Sequence, residues 1–282
     1  MVVSPSSYFV SYVPLMYICT DYLLIMDDNI LSTRELRRYS KQIMIPEIGI
    51  RGQEKLKNAK VLVIGAGGLG CPVLQYLTAA GVGKIGIAEF DTVNETNLQR
   101  QILYGSSDVG KLKSIIAKDR LGYLNSLVEI ELHNLKCDSS NSLWIFKKYD
   151  VIVDATDNID SRYIINDACV ILGKPMIHGA IYKFEGVIAV FNYKDGPTYR
   201  CYYPQAKNED FVNPLPSGVG LFGVLPGIIG TYMANEVIKV ITESGQILCG
   251  KVLLINILTN TFNIFNVINI PENHNIKKLG VS

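Results

Sequence analysis

No two cysteines in this chain stand in C-x-x-C spacing. The six thiols, Cys19, Cys71, Cys137, Cys169, Cys201 and Cys249, are scattered along 282 residues. The scatter excludes a disulfide framework and a recognisable zinc site, and it fits reduced thiols in a cytosol-like compartment. Net charge is equally scarce. Twenty-seven basic and 26 acidic side chains leave +1, too little for broad electrostatic capture of nucleic acid. No internal repeat is present. Residues 1–26, MVVSPSSYFVSYVPLMYICTDYLLIM, lack the basic n-region and small-residue cleavage site of a signal peptide. They are long enough for a membrane span, but Pro14 and Asp21 interrupt the apolar run. Residues 1–31 therefore read as an extension outside the core, with Met26 the expected true start.

What is present describes a globular protein. Hydrophobic residues make up 48% and charged residues 19%, enough for one large α/β domain with a sizeable core. The chain is organised around residues 60–91, KVLVIGAGGLGCPVLQYLTAAGVGKIGIAEFD. An apolar run of strand length breaks on GAGGLG, an apolar helical pattern follows, and a second strand closes a βαβ unit. Gly65, Gly67 and Gly70 hold G-x-G-x-x-G spacing, which allows a tight turn and offers a helix N-terminus to a phosphate. Glu89, ending the second strand, is placed to accept hydrogen bonds from ribose hydroxyls. The motif alone leaves NAD and ATP both open.

Ahead of this unit, Thr33 is expected to cap a helix reaching Ile43, with Glu35 in its first turn. A short helix should follow over residues 51–57. The basic residues Arg34, Arg37, Arg38 and Lys41, taken alone, describe a solvated helix face. Beyond the unit, helices are expected over residues 111–125, 139–148, 159–172 and 227–243. Strands are expected over 128–132, 149–154, 175–180 and 187–193, the last antiparallel, with a hairpin over 252–267 turning at Thr259-Asn260. The alternation is that of a Rossmann-like, doubly wound, mostly parallel α/β sheet with an antiparallel C-terminal extension. Residues 32–270 form the domain, and 271–282 a polar tail.

Charge placement carries the functional argument. Arg100, Lys113 and Asp157 fall just beyond strand ends or at helix starts, so the fold brings them to one crevice. A nicotinamide needs no such set at its reacting end. A triphosphate with Mg²⁺ does, because cations must line its oxygens and a carboxylate must hold the metal while pyrophosphate leaves. Singly, Arg100 also reads as a structural clamp, Lys113 as a solvated helix residue and Asp157 as the N-cap of the following helix.

RRYSKQIMIPEIG at 37–49, GAGGLG at 65–70, NLQRQ at 97–101, GKLKS at 110–114, DATDN at 154–158, YRCYYP at 199–204 and GVLPGIIGT at 223–231 occur in one order. Over residues 35–270 the chain resembles the ThiF/MoeB family, bacterial and plastid relatives of ubiquitin-activating enzymes. The resemblance implies adenylation, from ATP and Mg²⁺, of a ubiquitin-like sulfur carrier protein ending in Gly-Gly. Pyrophosphate is released, and the acyl-adenylate becomes a thiocarboxylate for molybdopterin or thiazole synthesis. By position, Gly65, Gly67, Gly68 and Gly70 form the nucleotide loop and Glu89, usually Asp, the ribose contact. Asn97, Arg100 and Lys113 bind phosphates, and Asp157 holds Mg²⁺. The resemblance also implies a homodimer, in which Lys41, usually Arg, reaches the partner's ATP site; lysine keeps the charge but loses the bidentate fork. Neither nucleic acid nor membrane is an expected partner, and the expected compartment is the cytoplasm or a plastid stroma.

Two departures bear on the chemistry. Many relatives hold zinc with two C-x-x-C pairs; here Thr198 and Cys201 stand for the first, and the second is missing, so a four-thiolate site cannot form. Cys201 is then expected to be a buried core thiol. Relatives also carry a loop cysteine, whereas this chain has Asn213-Pro214-Leu215-Pro216-Ser217 and no cysteine between Cys201 and Cys249. Adenylation needs no thiol, and the sulfur is expected from a separate persulfide donor. Three other readings compete: adenylation of a peptide or tRNA, a catalytically silent partner subunit, and a plain NAD dehydrogenase.

Overall fold

The first five strands run parallel because each of the first four is followed by a crossover rather than a tight turn. In the computed structural model, which describes residues 30–204 and 220–279, these are β1 (Lys60–Ile64), β2 (Lys84–Ala88), β3 (Glu129–His133), β4 (Val151–Asp154) and β5 (Met176–Tyr182). Antiparallel β6 (Glu185–Phe191), β7 (Lys251–Asn256) and β8 (Thr261–Asn266) extend them. The order across the single sheet is β3-β2-β1-β4-β5-β6-β7-β8. The doubly wound sheet and its antiparallel extension thus match the expectation from sequence.

The helices are α1 (Thr33–Arg38), α2 (Ser40–Ile43), α3 (Gly49–Asn58), α4 (Gly70–Ala80), α5 (Lys113–Leu124), α6 (Ser142–Phe146), α7 (Ile159–Leu172), α8 (Tyr199–Tyr202) and α9 (Leu225–Thr242). Alternate side chains of β1 feed two cores, as strand periodicity requires. Val61 and Val63 pack with residues of α4, α5 and α9, whereas Leu62 and Ile64 pack with α6 and α7. Burial on both faces explains why this strand reads as an unbroken apolar run.

Several boundaries differ from expectation for identifiable reasons. Ser32, not Thr33, caps α1: its Oγ accepts the Glu35 N–H at 3.3 Å, and Glu35 Oε2 accepts the Ser32 N–H at 2.7 Å. This capping box starts the helix one residue earlier. The stretch to Ile43 breaks at Tyr39, whose buried hydroxyl accepts a hydrogen bond from Asn125 Nδ2 at 2.8 Å. The helix expected over 139–148 shortens to Ser142–Phe146, because Asp138 and Asn141 fold the preceding residues into a turn. Residues 1–29 and 213–217 lie outside the described residues. No helix among the described residues is long and apolar enough to cross a membrane.

The sheet positions the cleft through its reversal of strand order. The chain moves outward from β1 to β2 and β3, then crosses back to β4 on the other side of β1, and the carboxyl ends of β1 and β4 flank a crevice. Gly70, first residue of α4, packs so tightly there that a Cβ would collide with the Gly65 carbonyl oxygen. Gly70→Ala is accordingly expected to lower unfolding free energy by roughly 1–3 kcal/mol or more, as overpacking of fixed backbone does, measured by urea denaturation.

Candidate nucleotide-binding cleft

Gly65 leaves β1 with φ +93°, and a Cβ on it would sit 2.7 Å from the Ala155 carbonyl oxygen. The loops after β1 and β4 therefore touch across the switch point, and a cleft of about 450 Å³ opens above them. Gly67 and Gly68 form one wall, and α4 begins beyond them with no side-chain cap. An uncapped helix N-terminus facing a cleft is suited to an anion. Five basic side chains, Arg100, Lys113, Lys136, Arg162 and Lys183, line the cleft against three acidic ones, Glu89, Asp91 and Asp157.

The predicted set is mostly, not wholly, brought together. Gly65, Gly67, Gly68, Glu89, Arg100, Lys113 and Asp157 line the cleft. Gly70 lies behind the loop as a packing residue. Asn97 closes the turn Glu95–Asn97, and its carbonyl oxygen accepts the Arg100 N–H at 3.0 Å and the Gln101 N–H at 2.9 Å. It thus shapes the backbone that presents them. Lys41 is exposed on α2, away from the cleft of its own chain.

Glu89 is more heavily engaged than a ribose contact requires. Its carboxylate, buried at 6% exposure, accepts N–H groups from Ala66 at 2.8 Å, Phe90 at 2.8 Å and Asp91 at 2.9 Å. Three of its lone-pair positions thus fasten the glycine loop to the end of β2. Lys113 opens α5 almost fully buried, contradicting the solvated-residue alternative, and its Nζ lies 3.4 Å from Asp91 Oδ2. Arg100 curls back with Nη1 on the Thr96 carbonyl oxygen at 3.2 Å, while its alkyl stem borders Gly68.

Asp157 is not the cap of α7. Asn158 is, accepting the Ser161 N–H at 2.9 Å. The Asp157 carboxylate is exposed and makes no side-chain hydrogen bond or ion pair among the described residues. Beneath it lies Asp154, wholly buried. Burial works against its charge, but the hydrogen bond from His178, the charge of Arg162 and the hydrogen bond from Thr156 outweigh that and hold the carboxyl below its ordinary value. Burial in turn pushes His178 down, toward the neutral ring. Gln101 and Arg162 are cleft residues that sequence reasoning passed over. Each is buried, and Gln101 Oε1 and Arg162 Nε find no hydrogen-bond partner among the described residues. The signal for Gln101 was its place at the end of NLQRQ; Arg162, in the helix after DATDN, carried none.

The thiols beside the glycine loop and in the cleft wall are poor nucleophiles. Burial pushes Cys71, behind the glycine loop, and Cys137, in the cleft wall, up to about 12, so both stay protonated near neutrality. Cys201 departs from the buried thiol expected. It is half-buried, and its sulfur meets Thr198 Oγ1 at 3.4 Å, the Ile270 N–H at 3.4 Å and Asn273 Nδ2 at 3.5 Å. Burial would raise this thiol, but those hydrogen bonds lower it.

The ThiF family profile matches residues 39–277. The chain belongs to the ThiF family. It is 48% identical over 233 residues to a sulfur carrier protein adenylyltransferase of Thermus thermophilus, covering 81% of this chain and 86% of that protein. It is 42% identical over 261 residues to the probable adenylyltransferase/sulfurtransferase MoeZ of Mycobacterium tuberculosis, covering 91% of this chain but 66% of that one. A probable molybdopterin-synthase adenylyltransferase of Porphyra purpurea is 44% identical, over 84% of this chain and 62% of its own length. The chain thus spans only about two thirds of the latter two relatives. Among solved structures, E. coli MccB with succinimide superposes with a TM-score of 0.72 at 25% identity, over 83% of this chain and 72% of that one. PaaA superposes at 0.73 and 21% identity, over 91% and 82%, a likeness of fold.

Proposed function

We propose that this ThiF-family chain is an adenylyltransferase that uses MgATP to activate the C-terminal glycine of a ubiquitin-like sulfur carrier protein ending in Gly-Gly. Family membership and relatives of 42–48% identity named as adenylyltransferases support the reaction class. The observation that carries the reading in this molecule is the cleft's excess of cations around one unpaired carboxylate. A redox dinucleotide gives no use for that set at its reacting end. A triphosphate with its metal calls for both cations and a carboxylate there.

The carrier's terminal carboxylate attacks the α-phosphorus, an acyl–phosphate bond forms, and the bond to the departing pyrophosphate breaks. Arg100 and Lys113 face the charge that develops on the phosphate oxygens. Lys113, desolvated, acts there with little screening by water. Asp157 would hold Mg²⁺, whose bound charge neutralises the phosphates. A lone, exposed oxygen ligand fits this ion, which is commonly held by one or two carboxylates together with substrate phosphates. The glycine loop admits the phosphates close to the backbone, and Glu89 keeps that loop in place.

Lys41 acts on the nucleotide of a second copy, so the reading includes a homodimer. With Cys71 and Cys137 protonated, sulfur arrives from a separate persulfide donor, whose outer sulfur attacks the acyl carbon and expels AMP; a thiol reductant then cleaves the acyl disulfide to the thiocarboxylate, and molybdopterin or thiazole synthesis is the destination. The test is pyrophosphate exchange into ATP. Exchange is expected only with a carrier ending in Gly-Gly, and a carrier lacking the terminal glycine should give background. Failure with every such carrier would overturn the reading. Titration calorimetry should show ATP binding and no NADH binding.

A further inference from the structure

Thr156, one residue before Asp157, is held from two elements, one of them braced by a third. Asp154 ends β4 wholly buried, and its Oδ1 accepts both the Thr156 N–H at 3.1 Å and the Thr156 hydroxyl at 2.6 Å. Its Oδ2 lies 2.7 Å from His178 Nδ1, on the residue directly paired with it across β4 and β5. The imidazole is fixed in turn by Tyr199 and Phe191, with ring centroids 5.0 and 6.0 Å away. From α7, Arg162 Nη2 donates to the Thr156 carbonyl oxygen at 3.1 Å. Both backbone polar groups and the hydroxyl of this one residue are thereby tied to buried charged or polar groups.

We infer that Asp154, His178 and Arg162 form a buried clamp on Thr156 that aims the Asp157 carboxylate at the cleft. A buried ionised group costs more to desolvate than an apolar replacement of similar volume, so stability alone gives no reason for this cluster. Its geometry gives one. Asn158 fastens the far side of the loop by capping α7, which leaves Asp157 as the residue held on both flanks while its own side chain stays free. Supporting groups of this kind set the orientation of a metal-holding carboxylate. The three clamp members are positioning residues and need not touch substrate. The inference rests on the proposed binding of MgATP.

The experiment compares ATP affinity with and without Mg²⁺ by titration calorimetry on the full chain. The unaltered protein should bind ATP more tightly when Mg²⁺ is present. His178→Leu, which removes the donor to Asp154, and Thr156→Val, which removes only a hydroxyl, should each cut that gain about tenfold, the usual cost of losing an outer-shell partner. Affinity for ATP alone should stay within about twofold, since the phosphate cations are untouched. His178→Asn and Thr156→Ser, which keep the donors, should retain the gain. A folded variant with the gain undiminished, or one losing Mg-free affinity equally, overturns the clamp. If His178→Leu does not fold, Thr156→Val decides alone. An unaltered chain that binds ATP without any gain from Mg²⁺ refutes Asp157 as metal holder and the clamp with it. One that binds no ATP refutes the functional reading itself.

Discussion

Asp157→Ala is expected to reduce pyrophosphate exchange to background, a fall of at least about three orders of magnitude, or roughly 4 kcal/mol of transition-state stabilisation. The structure separates this loss from any loss of fold. Asp157 is exposed and makes no side-chain hydrogen bond among the described residues, while the cap of α7 is Asn158. Removing its carboxylate therefore leaves no buried partner unsatisfied, and the unfolding free energy should change by no more than about 0.5 kcal/mol. Exchange and urea denaturation on the same preparation read the two effects apart. Asp157→Asn keeps the shape but loses the charge, and it should be nearly as inactive. Normal exchange by either variant would take this residue out of the chemistry.

Legibility in the sequence followed the range of the interaction involved. β1 and the glycine loop were readable because both come from contiguous residues: an apolar run of strand length and three glycines at fixed spacing. The antiparallel extension was readable for the same reason, since the hairpin turn at Thr259-Asn260 is local and Asn260 does adopt φ +54°. What escaped was set by partners distant in the chain. Nothing near Glu89 announces that Ala66 will donate to its carboxylate. Nothing near His178 announces Asp154, 24 residues earlier. Thr33 as a cap failed by one residue because Ser32 offers the same chemistry and Glu35 selects between them through the capping box.

At the position where the resemblance leads to an expectation of zinc ligands, hydrogen bonds hold the C-terminal segment. Thr198 and Cys201 remain as a short turn, and the segment after β8 closes onto the same sulfur through the Ile270 N–H and Asn273 Nδ2. Hydrogen bonds to one half-buried sulfur thus join the two segments. They are weaker than thiolate–metal bonds, so chelators should leave the thermal unfolding midpoint unchanged. A midpoint that drops with a chelator would point to a bound structural metal.

Arg100→Ala should lower exchange by at least about two orders of magnitude, as loss of one charge partner of the developing phosphate charge does elsewhere. The alternative is that Arg100 only clamps its own turn, since Nη1 lies on the Thr96 carbonyl oxygen at 3.2 Å. The two roles predict different variants. A clamp is one neutral acceptor's hydrogen bond, worth about 1 kcal/mol of stability, and its loss would leave exchange in the folded fraction near normal. A phosphate ligand loses rate and keeps stability, and Arg100→Lys should recover part of the rate because the charge survives without the fork. Lys113→Ala provides the complementary case. Its side-chain partner among the described residues is Asp91, whose side chain is 55% exposed, so water can solvate the carboxylate left behind and the fold should tolerate the change. If Lys113→Ala fails in exchange while Arg100→Ala does not, the charge on the leaving phosphates is met at the start of α5, and the NLQRQ turn is scaffolding.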